Sequence, residues 1–224
     1  MRDDICTIPV SEIFEVNDGC PMCRMNKRVE ERIIKYILGD AMMEPDVRMA
    51  TNEIGFCPDH YAKMVEYGNR LQLALMLQTH LEYIGNNILN GKHNPEKRGK
   101  NAKEINDGCF ICNKMQWGIT RMVDTIYRTY EKEEDFRNLF NNQPEFCFKH
   151  YEMLMSGINR RNMKKHGGEM AENLERITKT KLDGLYAGVS KFCSVYNRCY
   201  GDRDFGTSRD SVERIVSFLT MNEK

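Results

Sequence analysis

The chain has 224 residues and carries 33 basic and 33 acidic side chains, so its formal charge is zero. A balanced charge gives no support to nucleic acid or an anionic membrane as the main partner. No apolar run approaches the ~20 residues that a bilayer-spanning helix needs, and the first residues do not resemble a secretory signal. The sequence therefore predicts a cytoplasmic protein with no membrane partner.

Cysteine is the residue type that stands out, with nine in the chain. The reducing cytosol opposes disulfide formation, so this number favours metal binding or thiol chemistry. The composition, with 41% hydrophobic residues and only six prolines, favours an ordered helical protein over a disordered or turn-rich one. The spacing of the cysteines is therefore the feature to follow.

Two short blocks of sequence occur twice, in the same order. The letters NDGCPMC at 17–23 return as NDGCFIC at 106–112, and FCPDHY at 56–61 returns as FCFKHY at 146–151. The first block recurs at an offset of 89 residues and the second at an offset of 90. This order and register predict a tandem duplication of a unit of about 90 residues.

Helical periodicity fills the first copy. Helices are predicted after the first cysteine pair, over 46–52, from Pro58 toward Tyr67, and at the end of the copy. The apolar stripe of the first helix consists of Met25, Val29, Ile33 and Ile37. The apolar stripe of the closing helix consists of Leu71, Leu75, Leu77, Leu81, Ile84 and Ile88. No segment alternates with the period of two that is typical of a strand.

The second copy shows the same order of helices, followed by an extension. Its stripes are Met115, Ile119, Met122, Ile126 and Tyr130 after the cysteine pair, and Met170, Leu174, Ile177, Leu182, Leu185, Val189 and Phe192 in a closing helix over about 169–196. A last helix is predicted with Ser208 or a neighbouring residue as N-cap and with an apolar face of Val212, Ile215, Val216 and Leu219.

The predicted architecture is all-α, with two tandem helical repeats of about 90 residues and a C-terminal helical extension. The predicted division is a first metal-binding repeat at 1–90, a polar and mobile linker at 91–104, a second metal-binding repeat at 105–200 and a C-terminal helix at 201–224.

Each copy carries a Cys-x-x-Cys pair and a Cys-x-x-His pair. Zinc prefers four tetrahedral sulfur and nitrogen ligands, and two residues three apart in a turn entering a helix reach one ion. About two zinc ions per chain are therefore predicted, each within its own repeat, although the long linker also permits an exchange of pairs between copies. The predicted sets are Cys20, Cys23, Cys57 and His60 in the first repeat, and Cys109, Cys112, Cys147 and His150 in the second.

An iron–sulfur cluster is the main alternative to zinc, because three cysteines and one histidine also suit a cluster. A thioredoxin-like redox pair is disfavoured, since the strand-to-helix setting of that motif is missing. Four protein ligands leave no coordination position for water or substrate, which disfavours a hydrolytic zinc enzyme. The sequence shows no recognisable catalytic constellation, so no catalytic residue is assigned and an enzyme is the less favoured reading.

Several other residues are interpreted as structural. His80 is expected in or beside the core of a leucine-rich helix, and acidic pairs such as Glu30-Glu31 on solvated helix faces. The basic segment 159–168 is a weak candidate for nucleic-acid binding, because most charge runs are solvated. Three cysteines fit no paired spacing and are interpreted as packing or surface residues: Cys6, Cys193 and Cys199.

The doubled Asn-Asp-Gly-Cys-x-x-Cys and Phe-Cys-x-x-His-Tyr blocks resemble those of an uncharacterised family of bacterial proteins, a domain of unknown function found mainly in anaerobic Firmicutes. The similarity covers nearly the whole chain. The resemblance implies a cytoplasmic helical protein of this length with cysteine pairs as its hallmark. It implies no activity.

The functional expectation is a zinc-stabilised, non-enzymatic interaction or regulatory module whose partner is a protein. The alternative is an iron–sulfur or thiol-based redox or enzyme component that binds a small molecule between the repeats. Nucleic acid is the least favoured partner, because the two basic connectors are short and carry no aromatic platform.

Overall fold

The computed structural model describes residues 9–90, 93–158, 163–196 and 205–220. These residues form α-helices and no strand, which confirms the predicted all-α class. None of the described helices is both long and apolar enough to cross a membrane. The helices are α1 (Val10–Phe14), α2 (Pro21–Ile37), α3 (Pro45–Ile54), α4 (Pro58–Tyr67), α5 (Arg70–Ile84), α6 (Pro95–Asp107), α7 (Phe110–Lys132), α8 (Glu134–Asn141), α9 (Phe148–Ile158), α10 (Gly167–Tyr196) and α11 (Ser211–Thr220).

The helices group into two compact units whose boundaries differ from the predicted division at 1–90, 91–104, 105–200 and 201–224. The first unit contains Lys27–Arg121, and the second combines Pro9–Asn26 with the described part of Met122–Lys224. One boundary falls inside α2 and the other inside α7, because both helices run on without a break. Each unit therefore contains parts of both sequence copies.

The predicted stripe of α2 is buried, and within the first unit α3 packs on α5. The predicted stripe of α5 is only partly correct. Leu71 and Leu81 are 69% and 66% exposed, whereas Leu73, Met76 and His80 are buried. The apolar residues of α5 are spread around most of its circumference, so periodicity alone does not identify the face that packs.

The core of the second unit is built around aromatic rings. Phe14 of α1 lies edge-on to Phe136 at 5.1 Å between ring centroids and stacks on Phe140 at 5.6 Å. Phe140 in turn contacts Tyr130 at 5.1 Å and Phe146 at 4.9 Å. Such pairs stabilise a core beyond the area they bury. Because Phe146 directly precedes Cys147, this core fixes the second Cys-x-x-His block.

The predicted linker at 91–104 is helical over most of its length. The side chain of Asn94 caps α6 by accepting a hydrogen bond from the Lys97 backbone N–H at 2.8 Å, and Pro95 occupies the first turn. Ion pairs four residues apart add support: Lys100 with Glu104, and Lys103 with Asp107. No residue of α6 is buried, so the helix leaves no apolar periodicity in the sequence.

The predicted last helix is present, but its packed face differs from the predicted one. The helix begins at Ser211, and Ser208 lies in the preceding 3-10 turn rather than at the N-cap. Ser211 and Phe218 are buried, and a Cβ at Gly188 would lie 3.0 Å from the Ser211 Oγ, so α10 and α11 approach closely there. Three apolar residues of the predicted face are exposed instead: Val212, Val216 and Leu219.

The carboxylate of Glu131 on α7 anchors the described end of the basic segment, whose residues 159–162 lie outside the described ranges. It accepts hydrogen bonds from the backbone N–H groups of Lys164, Lys165 and His166 at 3.1, 2.8 and 3.1 Å. Burial acts to raise the pKa of Glu131, but the three N–H donors outweigh it and lower this pKa below its usual range.

We expect Glu131→Gln to lower the free energy of unfolding by about 1 kcal/mol at pH 7. Because the folded-state pKa of Glu131 lies below its ordinary value of 4.5, the carboxylate contributes stability above that pH. The contribution is lost as the pH falls through the folded-state pKa. Urea unfolding of Glu131→Gln and of the unaltered chain at pH 7 and near pH 3 measures their difference in the free energy of unfolding. The same difference at both pH values would contradict this prediction.

Candidate metal centres

Each of the four predicted ligand pairs stands at the start of a helix. Cys20 precedes α2, Cys57 precedes α4, Cys109 precedes α7 and Cys147 is followed by α9. The carbonyl oxygen of each cysteine accepts the backbone N–H four residues on, from Arg24, Tyr61, Asn113 and Tyr151, at 2.9–3.2 Å. Residues three apart in a first turn share a face, and the positive end of a helix favours thiolates.

The eight predicted residues gather in two clusters, and each cluster takes its two pairs from different sequence copies. The buried cluster contains Cys20, Cys23, Cys147 and His150, and the open cluster contains Cys57, His60, Cys109 and Cys112. The predicted pairing within each repeat, Cys20 and Cys23 with Cys57 and His60 and the corresponding second set, is therefore wrong. Each cluster instead lies within one compact unit.

In the buried cluster, the Nδ1 of His150 lies within 3.4 Å of all three sulfurs. It is 3.4 Å from Cys20 Sγ, 3.4 Å from Cys23 Sγ and 3.0 Å from Cys147 Sγ, and the last two sulfurs are 3.7 Å apart. All four residues are buried, with Cys20 1% and His150 0% exposed.

The open cluster has the same arrangement with more solvent around it. His60 Nδ1 lies 3.1 Å from Cys57 Sγ, 3.3 Å from Cys109 Sγ and 3.4 Å from Cys112 Sγ. The sulfurs of Cys57 and Cys112 are 4.0 Å apart. His60 and Cys109 are buried, Cys57 is half-buried and Cys112 is exposed.

These separations fit one tetrahedral ion in each cluster. Zinc bonds of about 2.3 Å to sulfur and about 2.0 Å to nitrogen place two sulfurs about 3.8 Å apart and a sulfur about 3.5 Å from a nitrogen. The observed sulfur pairs at 3.7 and 4.0 Å and the sulfur–nitrogen pairs at 3.0–3.4 Å are close to those edges. Each cluster can therefore hold a metal ion.

The outer nitrogen of each histidine also has a polar neighbour. His60 Nε2 lies 3.0 Å from the Glu30 carboxylate, which also binds Lys63 at 2.6 Å. His150 Nε2 lies 3.0 Å from the side-chain amide of Asn26. On His60, a proton on Nε2 donates to the Glu30 carboxylate, which leaves Nδ1 free to bind a metal and makes the ring a stronger ligand. Glu30 is therefore more than the solvated acid that its sequence context predicts.

Without a cation, the sulfurs of each cluster compete for protons. Burial and the neighbouring thiols raise the pKa of Cys20 and of Cys112 to about 12. For Cys109, burial acts in the same direction, but the hydrogen bond from His60 and backbone N–H groups outweigh it and lower the pKa to about 6. A dication removes this competition by binding all three thiolates, so metal uptake releases protons.

A backbone hydrogen bond joins the two segments of the open cluster. The Gly55 carbonyl, two residues before Cys57, accepts the Phe110 N–H at 2.9 Å. Gly55 has a φ of +68°, a left-handed conformation that glycine adopts without strain. In the first copy the residue equivalent to Phe110 is Pro21, which has no N–H to donate. The first copy therefore has no N–H that could make this bond, and the second copy supplies it.

In the buried cluster, a side chain makes the corresponding link. Gln143 Nε2 donates to the Phe14 carbonyl at 2.6 Å and to Asn17 Oδ1 at 3.3 Å. Gln143 is 4% exposed, and Asn17 belongs to the turn that leads into Cys20. The two metal-binding segments are thus held together by bonds that do not depend on the metal.

Comparison with known protein families assigns the chain to a family. A family model described as a family of unknown function matches residues 1–224. The chain belongs to the DUF6062 family. Neither the curated proteins nor the solved structures contain a match. The predicted resemblance to a family of unknown function is confirmed, and no activity comes with it.

The pairing of ligands in this DUF6062 chain predicts which double variants keep a metal. We expect Cys57→Ser/Cys112→Ser, which removes two ligands of the open cluster only, to retain about one zinc ion per chain. Cys23→Ser/Cys57→Ser, which removes one ligand from each cluster, should retain close to none. Zinc analysis after gel filtration measures both; pairing within the repeats would give the opposite result.

Among the described residues of the DUF6062 chain, the other cysteine and histidine side chains lie outside the two clusters. Cys193 is exposed on α10, and Cys6 and Cys199 lie outside the described residues. His80 is buried on α5, as predicted, with Nδ1 2.7 Å from the Asn52 carbonyl oxygen. Asn26 could not be predicted as a neighbour of the histidine, because a single amide on a helix has no distinctive spacing.

Proposed function

We propose that the protein is a zinc-stabilised helical module with about two structural ions per chain and a non-enzymatic interaction or regulatory role. The observation that carries the proposal is the closure of both clusters by four protein donors. In each, three sulfurs and one Nδ1 lie within 4.8 Å of one another. A full set of protein ligands leaves no coordination position for a substrate, which is typical of structural zinc.

The compactness of the clusters favours a single ion over an iron–sulfur cluster. In a cluster, bridging sulfide and several irons stand between the protein ligands and hold the cysteine sulfurs well apart. Sulfurs 3.7 and 4.0 Å apart leave room for one ion at their centre and for no bridging atoms. Among single ions, zinc suits tetrahedral sulfur and nitrogen ligands best.

Metal analysis of the full chain, purified without oxygen or added metal, tests this proposal. We expect about two zinc ions per chain and no visible absorption. Exchange with cobalt should give the intense visible bands of tetrahedral Co²⁺ with thiolate ligands, reduced by about half in Cys57→Ser/Cys112→Ser. Less than half an ion per chain, or bound iron with visible absorption, would overturn the proposal.

The interaction role is supported by the same closed coordination and by exposed apolar side chains. Val212, Val216 and Leu219 are 47%, 49% and 53% exposed on α11. Side chains spaced by four and three residues form a stripe along a helix. The test is capture from the native cytosol followed by reconstitution with the purified partner. Partner binding that requires the zinc-loaded fold supports the role, and failure to reconstitute any complex contradicts it.

A thiol-based redox role is the second candidate, and one observation favours it. Cys112 is an exposed ligand, whereas Cys20, Cys23 and Cys147 are buried. Reactive cysteines need both thiolate character and access to solvent. A change in thiol content during turnover of a substrate, with zinc retained, would favour this candidate over the interaction module.

A further inference from the structure

The two clusters share one ligand set but differ in their access to solvent. In the buried cluster every ligand is buried, and the exposed fraction of the most accessible one, Cys23, is 7%. In the open cluster Cys112 is exposed and Cys57 is half-buried. An oxidant in solution therefore reaches a sulfur of the open cluster directly. It reaches the buried sulfurs only when the surrounding helices open.

Two sulfurs of the open cluster are also placed to form a bond with each other. Cys57 Sγ and Cys112 Sγ lie 4.0 Å apart, and they belong to the two most accessible ligands of the cluster. A disulfide requires a separation of about 2 Å, so its formation requires the two sulfurs to approach by about 2 Å more. Cys109 is less suited, because it is buried and its sulfur accepts the Cys112 backbone N–H at 3.4 Å.

We propose that the open cluster is a peroxide-responsive zinc site that releases its ion when Cys57 and Cys112 form a disulfide. This inference rests on the proposed function, since it requires zinc in both clusters. It assigns Cys112 as the site of first oxidation, because that sulfur is the exposed one. The buried cluster keeps its ion and holds the second unit folded.

The chemistry balances with hydrogen peroxide as the oxidant. The Cys112 thiolate attacks one peroxide oxygen, the O–O bond breaks, and Cys112 becomes a sulfenic acid as hydroxide leaves. The Cys57 thiolate then attacks the Cys112 sulfur and expels a second hydroxide. Two sulfurs have lost two electrons, peroxide has gained them, and two protons from solvent convert the hydroxides to water. Zinc stays divalent, and with only His60 and Cys109 left as ligands it departs into solution.

The test treats the zinc-loaded full chain with hydrogen peroxide and follows zinc release with a coloured chelator. We expect one of the two ions to leave at least about tenfold faster than the other. Mass spectrometry of the digested protein should find Cys57 joined to Cys112, with the loss of two hydrogen atoms. Thiol reductant and added zinc should restore the original content. Equal release of both ions, no release of either, or a disulfide between Cys109 and Cys112 would overturn the inference.

Two variants serve as controls. Cys57→Ser/Cys112→Ser keeps only the ion of the buried cluster, so the fast phase of release should be absent. Cys193→Ser removes an exposed thiol outside both clusters and should release zinc as the unaltered chain does. Fast release from Cys57→Ser/Cys112→Ser would overturn the inference. If the chain holds two ions and neither leaves before the other, the inference is refuted and the proposed function stands. If the chain holds no zinc, the proposed function is refuted as well.

Discussion

Replacement of Cys147 by serine should leave most of the chain unfolded at room temperature. Cys147 is 4% exposed, and its sulfur lies 3.0 Å from His150 Nδ1 and 3.7 Å from Cys23 Sγ. A metal bound there joins segments 124 residues apart. Structural zinc contributes on the order of 10 kcal/mol in apparent binding free energy. The whole stability of a domain is about 5–15 kcal/mol, so loss of this ion removes most of it.

The measurement is thermal unfolding followed by far-ultraviolet circular dichroism, together with zinc analysis. The unaltered chain should unfold cooperatively, and the same chain with excess chelator should behave like Cys147→Ser. Cys193→Ser is the matched control, because it removes an exposed cysteine outside the clusters, and its stability should change by less than about 0.5 kcal/mol. An unchanged midpoint for Cys147→Ser would contradict a structural role for the buried cluster.

The helices could be predicted because their signals are local. The stripe of Met25, Val29, Ile33 and Ile37 is buried along α2, and the predicted helix over about 169–196 agrees with α10. Apolar periodicity and the block repeats suffice for this level of structure. The same signal failed for α6, whose stability comes from a cap and side-chain pairs and whose residues are all at least partly exposed.

The packed face of a helix depends on its neighbours, so the sequence predicted it less well. On α11 the apolar Val212 and Val216 are exposed, while the small Ser211 is buried against Gly188 of α10. A short side chain opposite a glycine lets two helix backbones approach closely. Hydrophobicity alone ranks valine above serine for burial and therefore selects the wrong side of α11.

The eight ligands could be predicted from spacing, but their pairing could not. Pairing within the copies closes loops of 34 and 35 residues, and the exchanged pairing closes loops of 124 and 55. Loop-closure entropy grows only with the logarithm of length, so the exchange costs about 1–2 kcal/mol in total. Both pairings offer the ion identical donors. The metal therefore does not select between them.

One local difference between the copies lies beside the open cluster. Phe110 donates its N–H to the Gly55 carbonyl beside the open cluster, and Pro21 stands in the equivalent place in the first copy. A proline there cannot make the bond, whereas Phe110 can. The residue equivalent to Gly55 in the second copy is Glu145, so pairing within the copies would also offer the Phe110 N–H a carbonyl, and this bond does not select between the pairings. The choice of pairing thus depends on small free-energy contributions spread over the packed helices.

Of the substitutions outside the metal clusters, we expect Gly157→Ala to lower the free energy of unfolding most. Gly157 lies in α9, and an added Cβ would overlap the hydroxyl of Tyr127 and lie 2.7 Å from its Cζ. Tyr127 is 1% exposed, and its hydroxyl donates to the Leu154 carbonyl at 2.8 Å. The ring must shift, which costs overpacking strain and a buried hydrogen bond. We expect a loss of about 3–5 kcal/mol in the free energy of unfolding.

Gly184→Ala separates this clash from the general effect of alanine in a helix. No atom lies within 4 Å of a Cβ built at Gly184, which is exposed on α10. Alanine stabilises a helix interior by up to about 1 kcal/mol over glycine, so this variant should gain stability. Adding Tyr127→Phe to Gly157→Ala removes the overlapping hydroxyl but not the ring, and should recover part of the loss. Urea unfolding of the zinc-loaded proteins measures all three. A Gly157→Ala protein as stable as the unaltered chain would show that α9 and α7 are not packed at this distance.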